Sequence, residues 1–355
     1  MKTRILWLLL CALMGTQAAY GQHLFRVISY NVENLFDTAD NPLTDDKAFL
    51  PQGSHHWTPK RYNHKLQQIA KVITAAGEWT EPALIGLCEV ENDSTLDHLC
   101  RRTPLRTQAY RFVSSETDDP RGIRVALLYQ RNQFALLGHT SLRIPFRGGK
   151  KLSRPLLHVW GKIATGDTLD VFVCHFPSRS NGQLESEPFR IDAARHLRRA
   201  CDSLYQLRLH PHLLVMGDFN DTPTDRSMVE GLKAHPYVAG LAPHAIDTLT
   251  LYNLFATKRT GQPKGTHKYR GEWSQLDHFL IDASFLQEKA PFRLHPEGIR
   301  IFDADFLWTT DKTYQGRRPL RSFYGFTYEG GFSDHLPLIV DFYIHLSTEK
   351  EQEKE

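Results

Sequence analysis

The sequence predicts an α/β fold, and three observations carry that reading. Fully apolar runs such as Ala83 to Cys88 and Leu213 to Met216 read as strands buried on both faces. Apolar residues at Leu66, Ile69, Ile73 and Ala76 recur at helical spacing between such runs. The apolar runs also end in carboxylates, amides or histidines, at the strand ends where an α/β sheet places its chemistry.

The chain has 355 residues, of which 41% are hydrophobic and 23% charged, with a net charge of +3. At roughly 150 residues per domain this length suggests two domains, but large α/β sandwiches run longer as one. The small positive balance excludes a strongly basic nucleic-acid coat, so local geometry must attract any anionic substrate. Met1 to Ala19 reads as a secretory signal. Lys2 and Arg4 form its basic start, Ile5 to Met14 is an apolar core too short to span a bilayer, and small residues follow. Residues 1–21 are therefore expected to be removed, 22–346 to fold, and 347–355 to form a charged, disordered tail. The mature chain is expected to be exported to the periplasm or beyond, with no transmembrane segment, as a monomer. Cys88, Cys100, Cys174 and Cys201 would remain. Their spacing matches no zinc site, and disulfides stay open because export permits them.

Leu24 to Tyr30 reads as the first strand and ends in Asn31-Val32-Glu33-Asn34. Asp37 to His56 is a loop whose acidic residues miss the calcium-loop spacing. Thr58 and Pro59 open a helix that Gly77 stops. Ala83 to Cys88 ends in Glu89-Val90-Glu91-Asn92, and Asp93 or Ser94 caps a short helix through Cys100. Arg124 to Tyr129 is a strand after Asp119-Pro120-Arg121-Gly122. Leu156 to Ile163 and Leu169 to Cys174 pair across a Gly166-Asp167 turn, and the second ends in His175-Phe176-Pro177-Ser178-Arg179. Pro188 to Leu207 is a helix whose arginines face solvent. Leu213 to Met216 is broken by Gly217, then Asp218, Asn220 and Asp221 follow; on extended chain Asp218 and Asn220 point to one side. Gln275 to Ile281 carries Asp277-His278, with His278 read as structural. The basic, aromatic stretch Lys264 to Trp273 leads into it, and Arg317, Arg318 and Arg321 form a second basic group. Leu338 to Phe342 is the last strand, after Ser333-Asp334-His335-Leu336-Pro337.

One strand-end aspartate is usually a turn residue. Six strand ends carrying Asn31, Glu89, His175, Asp218 with Asn220, Asp277, and Asp334 with His335 are not explained by turns. This series resembles the endonuclease/exonuclease/phosphatase superfamily. Tyr30-Asn31-Val32-Glu33, Cys88-Glu89-Val90, Gly217-Asp218-Phe219-Asn220 and Ser333-Asp334-His335-Leu336-Pro337 carry the likeness in the family's order. The resemblance implies a four-layer α-β-β-α sandwich of two mixed sheets, and a divalent cation, magnesium with manganese as the alternative. It implies Glu89 as principal metal ligand, with Asn31, Asp334 and Glu33 completing or bordering the site. It also implies that Asp218 and Asn220 orient the attacking water, that Asp277 orients His335, and that His175 assists the leaving group. Abasic-site enzymes of the superfamily carry tyrosine there, which separates this chain from them. Arg121, Asn34, Ser178 and Arg179 are candidate substrate contacts.

The chemistry agrees with those roles: phosphodiester cleavage needs charge neutralisation, an in-line nucleophile and a protonated leaving group. The expected function is an exported phosphodiesterase acting on nucleic acid. The alternatives are a sphingomyelinase- or inositol-phosphatase-like esterase, and a catalytically silent binding protein on the same fold.

Overall fold

A computed structural model describes residues 22–149, 152–180, 182–240 and 246–345. The proposed signal segment and charged tail lie outside the described residues. In chain order the elements are β1 (Gln22–Leu35), α1 (Pro59–Gly77), β2 (Leu84–Val90), α2 (Asp93–Arg101), β3 (Arg111–Ser114), β4 (Arg124–Tyr129), β5 (Ala135–Leu142), β6 (Leu156–Lys162), β7 (Thr168–His175), α3 (Gln183–Leu207) and β8 (Leu213–Asp218). Shorter strands follow: β9 (His235–Pro236), β10 (Tyr252–Asn253), β11 (His267–Tyr269), β12 (Glu272–Ser274), β13 (Asp277–Ile281), β14 (Phe292–Leu294), β15 (Arg300–Ile301), β16 (Trp308–Thr310), β17 (Arg317–Pro319), β18 (Phe323–Tyr324) and β19 (Thr327–Tyr328), before the long β20 (Leu338–His345).

These strands form two mixed sheets. One runs β14-β20-β1-β2-β4-β3, with β15 also on β20; the other runs β5-β6-β7-β8-β13-β10-β9. β1 and β2 pair in parallel, as do β7 and β8, while β20 closes antiparallel onto β1 from Gln22↔His345 to Ser29↔Leu338. Alternation along the strands builds the layers. Leu214 and Met216 join the core between the sheets, while Leu213 and Val215 join a second core under α3 with Leu197 and Cys201. Gly86 lets the sheets approach, since a side chain there would meet Met216 Sδ at 2.9 Å. Helix α1 covers the first sheet with Leu66, Ile69 and Ile73. The result is the four-layer α-β-β-α sandwich expected.

Several local expectations change. The strand carrying the central motif runs through Asp218, because Gly217 is paired with both Cys174 and His278. Gly217 has φ 137°, and a Cβ there would sit 1.9 Å from the Cys174 carbonyl oxygen, so glycine permits the close ladder. The residue that leaves extended geometry is Asn220, at φ 52°. Helix α1 keeps Gly77 as its last residue, and Glu78 takes the left-handed turn at φ 55°. Helix α2 is capped by Asn92, whose Oδ1 accepts from Thr95 N at 2.9 Å, not by Asp93 or Ser94. Helix α3 begins at Gln183, with Pro188 inside it. Its arginines do not all face solvent: Arg190 is fully buried in an ion pair with Asp221 at 2.7 Å. The four described cysteines are buried and free.

Candidate active site

The same alternation that builds the core builds the site. Val171 and Val173 on β7, Leu214 and Met216 on β8, and Phe279 and Ile281 on β13 all face the layer between the sheets. Two residues further along each face come His175, Asp218 and Asp277, which the ladder sets side by side: His175↔Asp218 and Asp277↔Asp218. The apolar layer therefore ends in a row of three polar groups. The first sheet supplies the opposite wall. Asn31, within β1 where its register against β2 shifts, donates Nδ2 across to Asp218 Oδ2 at 3.0 Å and to Glu89 Oε1 at 3.5 Å. Glu89 lies at a register shift between Cys88 and Val90, with φ 67°, and this irregularity turns its side chain into the site. Its Oε2 accepts from Asn34 N at 2.9 Å, where Glu33 and Asn34 are themselves left-handed. Glu33, Asn34, Glu89 and Asn220 thus bring left-handed, non-glycine backbone to the site.

His335 closes the row. Its Nδ1 bonds Asp277 Oδ2 at 2.7 Å and its Nε2 lies 3.9 Å from Asp218 Oδ2. Ser333 fixes this loop, donating Oγ to Asn31 O at 2.6 Å and accepting from His335 N at 3.1 Å. His175 Nε2 sits 3.5 Å from Asp218 Oδ2 and 3.9 Å from Glu89 Oε1, and its buried Nδ1 has no hydrogen-bond partner. The amide of Asn220 donates to Phe176 O at 3.0 Å, and its backbone N–H to Asp218 Oδ1 at 2.8 Å.

Electrostatics separate the two histidines. Burial works against protonating His335, but Asp277, Asp218 and the short bond to Asp277 raise it well above the usual imidazole range. Burial, reinforced by Arg154 and Arg121, holds His175 well below that range. Burial, with Asp277 beside it, pushes Asp218 up to about 7. Among the described residues, no lysine or arginine pairs with Glu89, Asp218 or Asp277; their charged-type partners are His175 and His335. Glu89 is also partly exposed. An oxygen-rich cluster with no lysine or arginine in ion-pair contact suits a hard divalent ion, which binds through one or two carboxylates and keeps waters. Glu89 and Asn31, with Asp218 beside them, could hold it.

Other sequence-predicted residues sit differently. Both oxygens of Glu33 are taken: Oε1 accepts from Arg321 Nε at 3.1 Å, and Oε2 from Ser322 N at 2.7 Å with Lys65 Nζ 3.7 Å away. Glu33 is therefore an anchor for Arg321, not an open ligand. Asp334 shares that arginine at 2.7 Å and has His267 Nε2 at 3.7 Å. Burial opposes its ionisation, but Arg321 and His267 hold its carboxyl well below the usual range. Arg121 is held by Asp119 at 3.2 Å yet remains 42% exposed beside the site. Arg179 is committed to Asn220 O, Asp221 and Asp225 and so supports the loop, while Ser178 donates to Ser180 at 3.1 Å on the surface. His278 bonds Asp221 O at 2.9 Å in the interior, a structural contact.

Sequence reasoning gave no place in the site to four neighbours. Lys65 is buried, though it sits on the apolar face of α1 beside Leu66 and Ile69, and a lysine on such a face was the available signal. Arg154 is buried, donating to Asp119 at 2.6 Å and Phe176 O at 2.9 Å. His267 lies with its ring 4.7 Å from that of His335. Arg321 was visible only as a loose basic residue. The last three are long-range contacts with no local sequence mark.

Two carboxylates, a histidine–aspartate pair and a second histidine at the end of an α-β-β-α sandwich define a phosphoesterase class of site. The family model of the Endonuclease/Exonuclease/phosphatase family matches residues 26–345, and the chain belongs to that family. An endonuclease/exonuclease/phosphatase family protein from Bacteroides thetaiotaomicron is similar in fold, with a TM-score of 0.56 at 15% identity, covering 92% of this chain and 100% of the other. A mannosyl-6-phosphatase from the same organism gives 0.55 at 16% identity, covering 90% and 99%. D. rerio TDP2 complexed with single strand DNA product gives 0.54 at 14% identity, covering 90% and 98%. No curated protein sequence matches the chain.

Proposed function

We propose that this protein is a magnesium-dependent phosphoester hydrolase acting by in-line water attack, with nucleic-acid phosphodiesters as its first substrate class. The observation that carries the reading is the convergence of Glu89, Asp218, Asp277–His335 and His175 at one strand-end row with no lysine or arginine paired to its carboxylates. Glu89 and Asn31 would hold the cation, which supplies charge neutralisation at the phosphate and at the departing oxygen. Asp218, near neutrality in its proton affinity, accepts the proton of the attacking water. The Asn220 backbone N–H holds Asp218 Oδ1 and the Asn31 amide orients Oδ2, which fixes the carboxylate for that transfer. His335, kept protonated by Asp277, presents Nε2 as a cation to the phosphate. His175, neutral and with Nε2 toward the same centre, contacts the leaving-group side. Sequence features of residues 1–21 support export as the setting, and no described helix is long and apolar enough to cross a membrane. A sugar- or lipid-phosphate substrate is the second reading, favoured by the fold's likeness to a mannosyl-6-phosphatase.

The test is hydrolysis of bis-p-nitrophenyl phosphate by the mature chain, followed by a panel of plasmid DNA, single-stranded oligonucleotides, sphingomyelin and sugar phosphates. Turnover that requires magnesium or manganese and stops with chelator is expected. Absence of turnover with every divalent ion would remove the enzyme reading.

A further inference from the structure

The two basic stretches around Lys268 and Arg318, about fifty residues apart in sequence, fold into one wall. A pocket of about 260 Å³ lies there, lined by Lys268, Tyr269, Arg270, Tyr314, Tyr324 and, at its inner end, Arg321 and Asp334 of the site. That volume lies below the roughly 300–1,000 Å³ of clefts for drug-sized ligands, so it has room for one ring system and little more.

Its cations divide into two groups. Lys268 is bound to Asp311 at 2.8 Å, Arg318 is doubly paired to Glu329, and Arg321 bridges Glu33 and Asp334. Their charge is already used in holding the wall together. Arg270 has no carboxylate partner among the described residues and lies 5.3 Å from the Tyr269 ring. The wall is therefore not a broad phosphate track of the kind that duplex binding needs. Its surplus is aromatic: Tyr269 is 61% exposed, Tyr314 44% and Tyr324 36%, and Arg318 covers one face of Tyr324 at 4.4 Å. Tyr314 has no cation over its ring among the described residues. It packs against the tip of the β11–β12 turn, where a side chain at Gly271 would meet Tyr314 Cβ at 3.2 Å.

The pocket is also set at a fixed step from the chemistry. His267 is bridged to His335 and faces Asp334. Tyr269 follows two residues along β11, on the same face and about 7 Å away. That is the order of one nucleotide step along an extended strand. Aromatic rings with an arginine are a sequence-tolerant platform for an unpaired base.

We propose that this pocket stacks the base of the nucleotide next to the scissile phosphate, with Tyr314 and Tyr269 as platform and Arg270 at its rim, and so selects unpaired strand ends. The inference rests on the phosphoesterase reading of the adjoining site. Its test separates the two. In chelator, without turnover, calorimetry compares a short single-stranded oligonucleotide with the same strand lacking its terminal base. About tenfold weaker binding of the base-less strand is expected. Tyr314→Ala and Arg270→Ala should erase that difference, and Tyr314→Phe should retain it. Equal binding of both strands by the unaltered protein, or a difference untouched in Tyr314→Ala, overturns the proposal. Tyr314-dependent binding of mannose 6-phosphate without base dependence would overturn it in favour of a sugar ring. Base-dependent binding without metal-dependent hydrolysis of bis-p-nitrophenyl phosphate would defeat the phosphoesterase reading and leave the pocket standing.

Discussion

Asp218 ends β8 and Asp221 follows three residues later; both are buried, yet they are built for opposite purposes. Asp221 is saturated by permanent donors: Arg190 at 2.7 Å, Arg179 at 3.1 Å and Ser227 Oγ at 2.6 Å. Asp218 has an amide, a backbone N–H and two imidazoles at 3.5 and 3.9 Å, but no arginine or lysine among the described residues. Burial raises both carboxyls. At Asp221 fixed cations oppose that shift and the charge serves the fold. At Asp218 the compensation is left to titratable groups and to a ligand, which is the condition for chemistry. A neighbouring carboxylate is thus told apart by the permanence of its partners, not by its depth.

The sharpest way to break this comparison is to treat the two aspartates alike. Asp218→Asn should keep the fold and lower turnover on the order of 10³-fold, because the amide cannot accept the water's proton. Steady-state kinetics with an unfolding curve check it; turnover within a few-fold of the parent would put the base elsewhere. Asp221→Ala should do the reverse. It leaves Arg190 buried without its carboxylate, at a cost of about 3–5 kcal/mol measured by urea denaturation. Unchanged stability there would show that Arg190 finds water or another acceptor.

A smaller effect sharpens the structural side. Burial lowers His278 to about 4 from an ordinary 6.5, so the folded state refuses a proton that the unfolded chain binds between those values. Its contribution is complete above about pH 6.5 and is lost as the pH falls toward 4, on the order of 3 kcal/mol across that window. Asp218, Asp282 and Glu91, each pushed up to about 7 by burial, act in the opposite sense over the same range, so the difference between the parent and His278→Gln isolates the histidine: the parent should lose this amount of unfolding free energy relative to the variant between pH 7 and 4. An equal slope in the variant would place the titration on another group.

Much of the site was legible because it is written at strand ends. Asn31, Glu89, His175, Asp218, Asp277 and His335 each follow or open an apolar run, and a strand's two-residue period carries its last side chain into the layer its predecessors occupy. Arg190 was not legible, because helical arginines read as solvated until a buried carboxylate is known to face them. The role of Glu33 was misread for a similar reason. Its acidity is visible in sequence, but Arg321, Ser322 and Lys65 arrive from 288, 289 and 32 residues away to occupy it.

The sequence by itself determined the layers and the chemical inventory, since burial patterns and turn residues are local properties of the chain. Which carboxylates stay without a fixed cation was decided only by the tertiary structure. Charge compensation is a matter of a few ångströms, and it depends on groups that only folding brings together. The same holds for the tyrosine pocket, whose lining comes from two stretches remote in sequence that meet where β11 packs beside β17.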